Sequence, residues 1–366
     1  MKQSSGFWRQ FDYLLFLFTV LLIIIGILMI RSATLGAIDP ELIRRLPDQI
    51  NYALIGIVLV FVLAAVDYRL LGGVHNWLYL AMVFLLLLVL LFGVEGDGGA
   101  RSWINFGIRI QPAEIAKIII IITLGVFFAQ NYQQLDKLST IVKSLVHLAV
   151  PTLLIFVQPD LGMAIVFLVL WFTMIWGAGL RLKHLGLFVL MGLLALPILW
   201  DRMELYQRER ITSFIALSPD DPSYYNILQA QITIGNGGWI GRGYAQGPQS
   251  QLRFLRVRHT DFIFAVIAEE FGFVGGAVVI VLIGGVLWRV AIAARSAADP
   301  LGSMICYGVA SFIFFQTVVS IGMNLRLLPV TGLTLPFISS GGTSLLSTLA
   351  GIGLVQSVIV RRRRLT

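Results

Sequence analysis

The sequence predicts an all-α, polytopic membrane protein of about ten transmembrane helices, with one large extracytoplasmic loop between the seventh and the eighth. Three observations carry this. Hydrophobic residues make up 58% of the chain and charged residues only 13%, far from the roughly 25% charged usage of a soluble domain. Apolar runs near the roughly 20 residues that a helix needs to cross hydrocarbon recur along the whole length. The lysines and arginines gather in alternate connections, as the positive-inside rule requires. A single cysteine, Cys306, excludes an internal disulfide and a cysteine-based metal site. The net charge of +8 sits mostly between spans, where topology accounts for it, so no nucleic-acid partner is expected.

Met1–Gln10 is polar and basic, and Tyr13–Ile30 is apolar with no small-residue cleavage site behind it, which predicts a retained first span rather than a signal peptide. Asn51–Val66, Trp77–Val94, Ile118–Ala129 extended back to Glu114, Ile141–Val157, Met163–Leu180, Leu185–Trp200, Phe262–Trp288, Met304–Met323 and Leu345–Val360 follow as further spans. With the N-terminus inside, thirteen lysines and arginines fall in inner segments and six (Arg31, Arg44, Arg45, Arg101, Arg109, Arg326) in short outer loops. Both termini are therefore expected in the cytoplasm. The closing run Arg361–Arg364 reads as a topology anchor, with contact to anionic lipid as its second reading. Residues 1–366 form one integral membrane domain, and 201–260 its long outer loop.

That loop carries seven arginines (202, 208, 210, 242, 253, 256, 258) against four acids between Arg202 and Thr260, a positive field that suggests an anionic partner. Tyr224, Ile227, Leu228 and Ile232 recur at helical spacing behind Asp221-Pro222, which predicts an interfacial amphipathic helix. The glycine-rich run Ile234–Gly243 lacks the Gly-Lys-Ser/Thr ending and the preceding strand of a phosphate loop, so a turn re-entering the membrane surface is the better reading.

Candidate chemistry concentrates on the outer face. Asp261 follows Arg253, Arg256, Arg258 and His259 and precedes a long apolar helix that contains Glu269 and Glu270. It reads either as an N-cap or as a general base in a partly desolvated site. Glu269 and Glu270 read as partnered structural or partner-coupling groups rather than catalysts. Glu114 and Lys117 share one helix face. They are either a mutually neutralising pair, or Lys117 with Arg101 and Arg109 holds an anionic head group while Glu114 sets the geometry. Asp160, in Gln158-Pro-Asp-Leu-Gly162, either caps the sixth span or joins a site. Asn324–Thr343 is rich in Gly, Pro and Ser between apolar helices, and irregular backbone at membrane depth survives only where protein or a cavity satisfies it; a broken helix lining a cavity is expected.

Gln111-Pro-Ala-Glu-Ile-Ala-Lys117, Gln158-Pro-Asp-Leu-Gly162, Gln207-Arg-Glu-Arg210, the Gly235–Gly243 run, His259-Thr-Asp-Phe-Ile-Phe-Ala265 with Glu269-Glu-Phe-Gly272, and Leu328-Pro-Val-Thr-Gly332 through Ser339-Ser-Gly-Gly342 together resemble the SEDS family (shape, elongation, division and sporulation) over nearly the whole length. Gln249-Ser-Gln-Leu252 and the short N-terminus make the chain more similar to the RodA branch than to the FtsW branch. The resemblance implies a peptidoglycan glycosyltransferase of the bacterial cytoplasmic membrane that polymerises lipid II into glycan strands on the outer leaflet, with a class B penicillin-binding protein as transpeptidase partner. It implies that Asp261 activates the acceptor 4-hydroxyl or organises a cation. For the pyrophosphate it leaves Arg45, Arg101, Lys117, Arg210 and Arg258, with Glu114 and Asp160 in the same site. Any metal would be a hard divalent cation, Mg²⁺ or Mn²⁺, held by oxygens. Two departures stand out: Arg256-Val-Arg258 replaces the common Pro-Glu before His-Thr-Asp, and Ser340 stands where tyrosine is common. On physics alone, a lipid II flippase is the rival.

Overall fold

A computed structural model describes residues 9–94, 101–105, 109–180, 200–203, 205–215 and 224–362, with isolated positions between 184 and 197. Among the described residues eight helices are long and apolar enough to cross a membrane, and Leu161–Gly177 is a shorter apolar helix. The predicted span Leu185–Trp200 falls largely outside the described residues.

The first helix, α1 (Tyr13–Thr34), starts where Asp12 accepts a hydrogen bond from the Leu15 N–H at 2.9 Å. Asp12 also receives Arg289 Nε at 2.9 Å. Its main chain is bracketed by the Gln356 amide, which accepts from the Asp12 N–H at 3.0 Å and donates to the Asp12 carbonyl at 2.8 Å. The start of α1 and the last helix are therefore joined at one end of the bundle. The second helix, α2 (Pro40–Ala65), begins eleven residues before the predicted Asn51, because Asp39 caps it and proline occupies its first position. Arg44 and Arg45 thus ride on its opening turns rather than on a loop. Then come α3 (Tyr68–Gly73), α4 (His75–Phe92), a hairpin of β1 (Ile104–Asn105) and β2 (Arg109–Ile110), α5 (Pro112–Gln130), α6 (Leu138–Val157) and α7 (Leu161–Gly177). Beyond these lie α8 (Leu205–Ile215), α9 (Tyr224–Gly237), the single turn α10 (Pro248–Gln251), α11 (Ile263–Ser296), α12 (Pro300–Asn324) and α13 (Gly342–Val360). α2 and α13 pack closely: a Cβ on Gly353 would stand 3.1 Å from the Val60 Cα, the small-residue contact expected where lipid offers no hydrophobic drive.

The broken helix is α11, not the stretch after α12. Gly272 takes φ +65 and ψ −161 inside it, about 14 Å from its start. That frees two carbonyls and two N–H groups at a depth where water cannot satisfy them. The glycine-rich loop supplies all four partners. Arg242 N donates to the Glu269 carbonyl and Gly243 N to the Glu270 carbonyl, both at 2.9 Å, while Phe273 N and Val274 N donate to the Gly238 and Trp239 carbonyls at 2.9 and 3.1 Å. Such close approach needs glycine: a Cβ would lie 1.8 Å from the Ala268 carbonyl oxygen at Gly237 and 2.1 Å from the Glu270 carbonyl oxygen at Gly241, where φ is +82. The re-entrant turn expected from the sequence is thus the patch over a helix break. Its tip, Trp239 and Ile240, stays exposed, as suits a turn facing hydrocarbon.

Helix α9 leads into this turn and packs on α11, with Ile227, Ala230, Thr233 and Gly237 buried. Ile232, counted on the apolar stripe in the sequence, is exposed instead. Glu269 and Glu270 are fully buried and structural. Glu269 accepts from Asn236 Nδ2 (3.2 Å), Gln249 N (2.8 Å) and Ser250 N (3.0 Å), capping α10; Glu270 bonds Ser32 Oγ of α1. Residues 325–341, expected as a broken helix, are extended chain and turns between two complete helices, with Leu333 and Leu335–Ser340 buried.

The break and its patch are testable. Gly241→Ala should destabilise the protein by about 1–3 kcal/mol through backbone strain alone, with the clash added. Gly235→Ala, in α9 with open space around its Cβ, should be neutral or stabilising by up to about 1 kcal/mol. Thermal unfolding of both variants in one detergent checks this, and equal melting temperatures would refute the patch.

Candidate active site

At the end of the bundle opposite the Asp12–Gln356 tie, a cavity of about 770 Å³ opens. Its wall draws on helix starts and on several non-helical segments. Glu41, Arg44, Arg45, Asp48, Gln49 and Tyr52 come from the first turns of α2. Trp103, Asn105, Arg109 and Gln111 come from the hairpin, and Pro159–Gly162 from the turn before α7. Gln207 and Asn226 contribute from the long loop. Val257 and Thr260–Phe262 precede α11, and Pro329–Gly332, Thr334 and Ser340–Ser344 form the far wall.

Asp261 borders this cavity, half-buried. It is not the helix cap that the sequence allowed: α11 begins at Ile263, with Phe262 in the N-cap position and no side-chain cap bond. Asp160 does cap its helix, accepting the Met163 N–H at 3.0 Å, and also receives Gln111 Nε2 at 2.9 Å while lining the cavity. The cap reading holds, and the residue stands at the cavity wall as well. Gln207 Nε2 donates to the Pro159 carbonyl at 3.2 Å and ties α8 to this turn. Arg210 lies one turn further along α8, but its side chain is outside the described residues.

The expected anion-binding set divides. Arg45 lines the cavity; Arg101 is exposed and does not. Arg258 is 4% exposed and turned away from it: its Nε donates to the Ala33 carbonyl at 2.7 Å and its Nη1 to the Leu255 carbonyl at 3.4 Å. Burial, with Arg253 nearby, lowers its pKa from the usual value, yet a guanidinium so basic stays charged. Other arginines of the long loop are likewise engaged by the protein itself. Arg208 and Arg242 bond the Asp201 and Asn236 carbonyls at 3.0 and 2.7 Å, Arg253 bonds the Gly36 carbonyl, and Arg256 sits 5.2 Å over the Tyr225 ring. Their positive field is used to hold backbone. The guanidiniums at the cavity wall are instead Arg44, Arg45 and Arg109, interleaved with Glu41, Asp48, Asp160 and Asp261. Arg109 pairs with Glu41 at 3.0 Å, both about half exposed, so the pair is readily parted.

Glu114 and Lys117 do not reach the cavity wall either. Lys117 is fully buried, with Nζ 2.6 Å from Glu114 Oε2, 3.3 Å from Gln316 Oε1 and 4.3 Å over the Phe312 ring. Glu114 Oε2 also accepts Ser347 Oγ at 2.7 Å. The pair neutralises itself and bolts α5 to α12 and α13. In the sequence Arg44 counts only towards topology, and neither Asp48 nor Gln111, which orients Asp160, is singled out; Arg109 is one of the arginines expected to hold an anionic head group. Among the described residues no group of three His, Cys, Asp or Glu converges to hold a metal ion.

The family model described as "Cell cycle protein", for FtsW, RodA and SpoVE, matches residues 12–364. The chain is 37% identical over 357 residues to the peptidoglycan glycosyltransferase MrdB of Escherichia coli K12, covering 95% of this chain and 94% of that one. It superposes with a TM-score of 0.81 at 32% identity on a chain from a peptidoglycan synthase complex studied for the coordination of polymerization and crosslinking, covering 97% and 99%. On the rod shape determining protein RodA of Thermus thermophilus it gives 0.71 at 31%, covering 97% and 98%.

Removing one member of the buried pair tests its role. Lys117→Met should cost about 3–5 kcal/mol by stranding Glu114, and the double variant Glu114→Gln/Lys117→Met should regain most of it, read as thermal stability in detergent. A stable Lys117→Met protein would contradict the bolt.

Proposed function

The chain belongs to the FtsW, RodA and SpoVE family, and we infer from this membership and from the cavity that it is a peptidoglycan glycosyltransferase, with lipid II as its substrate. The observation that carries the chemistry is Asp261 on the same wall system as Arg45.

In this reading Asp261 takes the proton of the acceptor sugar's 4-hydroxyl, and that oxygen attacks the anomeric carbon of the donor strand, inverting it. The donor's bond to its pyrophosphate breaks, and undecaprenyl pyrophosphate leaves with the bonding electrons. Charge develops on the leaving group, so fixed cations are needed there rather than at the sugar. Arg44, Arg45 and Arg109, the guanidiniums on the cavity wall, take that role in this reading. The exposed Glu41 partner of Arg109 yields to a phosphate at little loss. A Mg²⁺ or Mn²⁺ ion would be held by Asp261 or Asp160 together with pyrophosphate oxygens, and would add Lewis-acid stabilisation of the leaving group.

The cavity faces outward and both termini lie in the cytoplasm in this reading. The excess of inner lysines and arginines supports it, as does the tie between Asp12 and Gln356. A class B penicillin-binding protein is the proposed partner, supported by the likeness to a chain of a peptidoglycan synthase complex.

The test is glycan-strand synthesis from purified lipid II by detergent-solubilised protein, alone and with its cognate transpeptidase. Asp261→Asn should lower turnover by about 10²–10⁴-fold, the range for a lost general base, with folding unchanged. Arg45→Ala should raise KM. Wild-type protein that makes no polymer under either condition but translocates lipid II in vesicles would replace the enzyme by a flippase.

A further inference from the structure

Three consecutive carbonyls lead into α11, and each is held by a donor from the end of α12 or from the segment that follows it. The His259 carbonyl accepts the Ser340 N–H at 3.0 Å. The Thr260 carbonyl accepts Ser339 Oγ at 2.8 Å. The Asp261 carbonyl accepts Asn324 Nδ2 at 2.8 Å. The clamp is itself anchored: Ser339 Oγ accepts the Leu335 N–H at 2.9 Å, and Asn324 Nδ2 gives its other proton to the Ser320 carbonyl at 2.7 Å.

Asn324 is 1% exposed, and its Oδ1 accepts the Ala265 N–H at 3.0 Å. Ala265 is the third residue of α11, in the first turn, where N–H groups lack an i−4 acceptor within the helix; its N–H is shared between Asn324 and the Phe262 carbonyl, the latter at 3.1 Å. Phe262 at the N-cap position supplies no side-chain cap, so the capping oxygen comes from a different helix. The amide has one orientation that works: reversed, its oxygen would face two carbonyls and its nitrogen an N–H.

We propose that Asn324, assisted by Ser339, is a positioning residue that fixes the main chain of Asp261 and so aims its carboxylate. This rests on the reading of Asp261 as the reacting carboxylate. The residue stands just outside the regular helix, where α11's own ladder gives no restraint, and the donors bind at Asp261 and the two residues before it. A displacement of about 1 Å at a reacting group costs about 10²-fold in rate, whereas the substrate meets the rest of the cavity unchanged. Turnover should therefore fall and KM should not.

The experiment compares Asn324→Ala, Asn324→Asp and Ser339→Ala with wild type and Asp261→Asn, as full-length protein turning over purified lipid II. Asn324→Ala removes every contact, Asn324→Asp removes the proton given to Asp261 while keeping an acceptor for Ala265, and Ser339→Ala frees the Thr260 carbonyl. Expected is a fall in kcat of about 10–100-fold for both Asn324 variants, with KM within about twofold, and a smaller fall for Ser339→Ala. Wild-type kcat in the folded Asn324 variants, or a rise in KM at unchanged kcat, would overturn the proposal. If neither Asn324 variant folds, Ser339→Ala decides, and unchanged kcat there overturns it. Asp261→Asn that polymerises like wild type would sink the reading of Asp261 itself, whatever the Asn324 variants do.

Discussion

In hydrocarbon a backbone N–H or C=O has no water to turn to, and this single constraint organises the end of the molecule that carries the cavity. Three non-helical stretches reach membrane depth or its boundary: the glycine loop at 237–243, the approach to α11 at 252–262, and the segment 325–341. Each is satisfied by another part of the protein. The glycine loop replaces the missing rungs of α11 around Gly272; the segment after α12 binds the carbonyls of residues 259 and 260; arginines of the long loop take the carbonyls of Ala33 and Gly36. A cavity at this depth is a product of that mutual satisfaction, since none of its irregular walls could exist alone.

The same constraint sorts the charges. A charge inside a span is costly unless paired, so Lys117 and Glu114 neutralise each other and draw in Gln316 and Ser347. Arginine has five donors in a rigid fork and covers orphan carbonyls efficiently, so Arg258, Arg253 and Arg242 serve the backbone. What is left for an anionic substrate is the set that stands in water at the mouth of α2 and on the hairpin. Arg256 and Arg258, in the stretch just before His-Thr-Asp, brace the loop against Tyr225 and Ala33 instead of making the cavity more basic.

Much of this was legible in the sequence. Hydropathy located most of the spans, and the ordered motifs pointed to the segments that carry Asp261 and Asp160 and to the re-entrant turn. The destination of individual side chains was not legible, because the deciding partners are remote: Arg258 meets a carbonyl 225 positions away and Asn324 one 63 away. Charge counting cannot distinguish an arginine that faces a ligand from one that caps a strand of backbone. The position of the helix break was hidden for a related reason. Gly272 looks like any glycine in an apolar helix, whereas the Pro- and Ser-rich run after α12 advertises irregularity. Only the docked loop shows which of them interrupts a helix.

A carboxylate at a helix start is poorly restrained by its own helix, because the first turn lacks the bonds that hold later ones. It is also well suited to chemistry, since there it can border a cavity while the helix behind it stays packed. The two properties conflict unless restraint comes from outside. Here it comes from Asn324, the last residue of a neighbouring helix, and from Ser339 in the segment that follows. The irregular segment after α12 therefore has two tasks carried by different residues: Thr334 and Ser340 form a wall of the cavity, and Ser339 holds the main chain from which Asp261 projects. Substitution of the lining residues alters the shape of the cavity and substitution of Ser339 the aim of the carboxylate, which is the physical reason a stretch so poor in charged groups bears on the cavity.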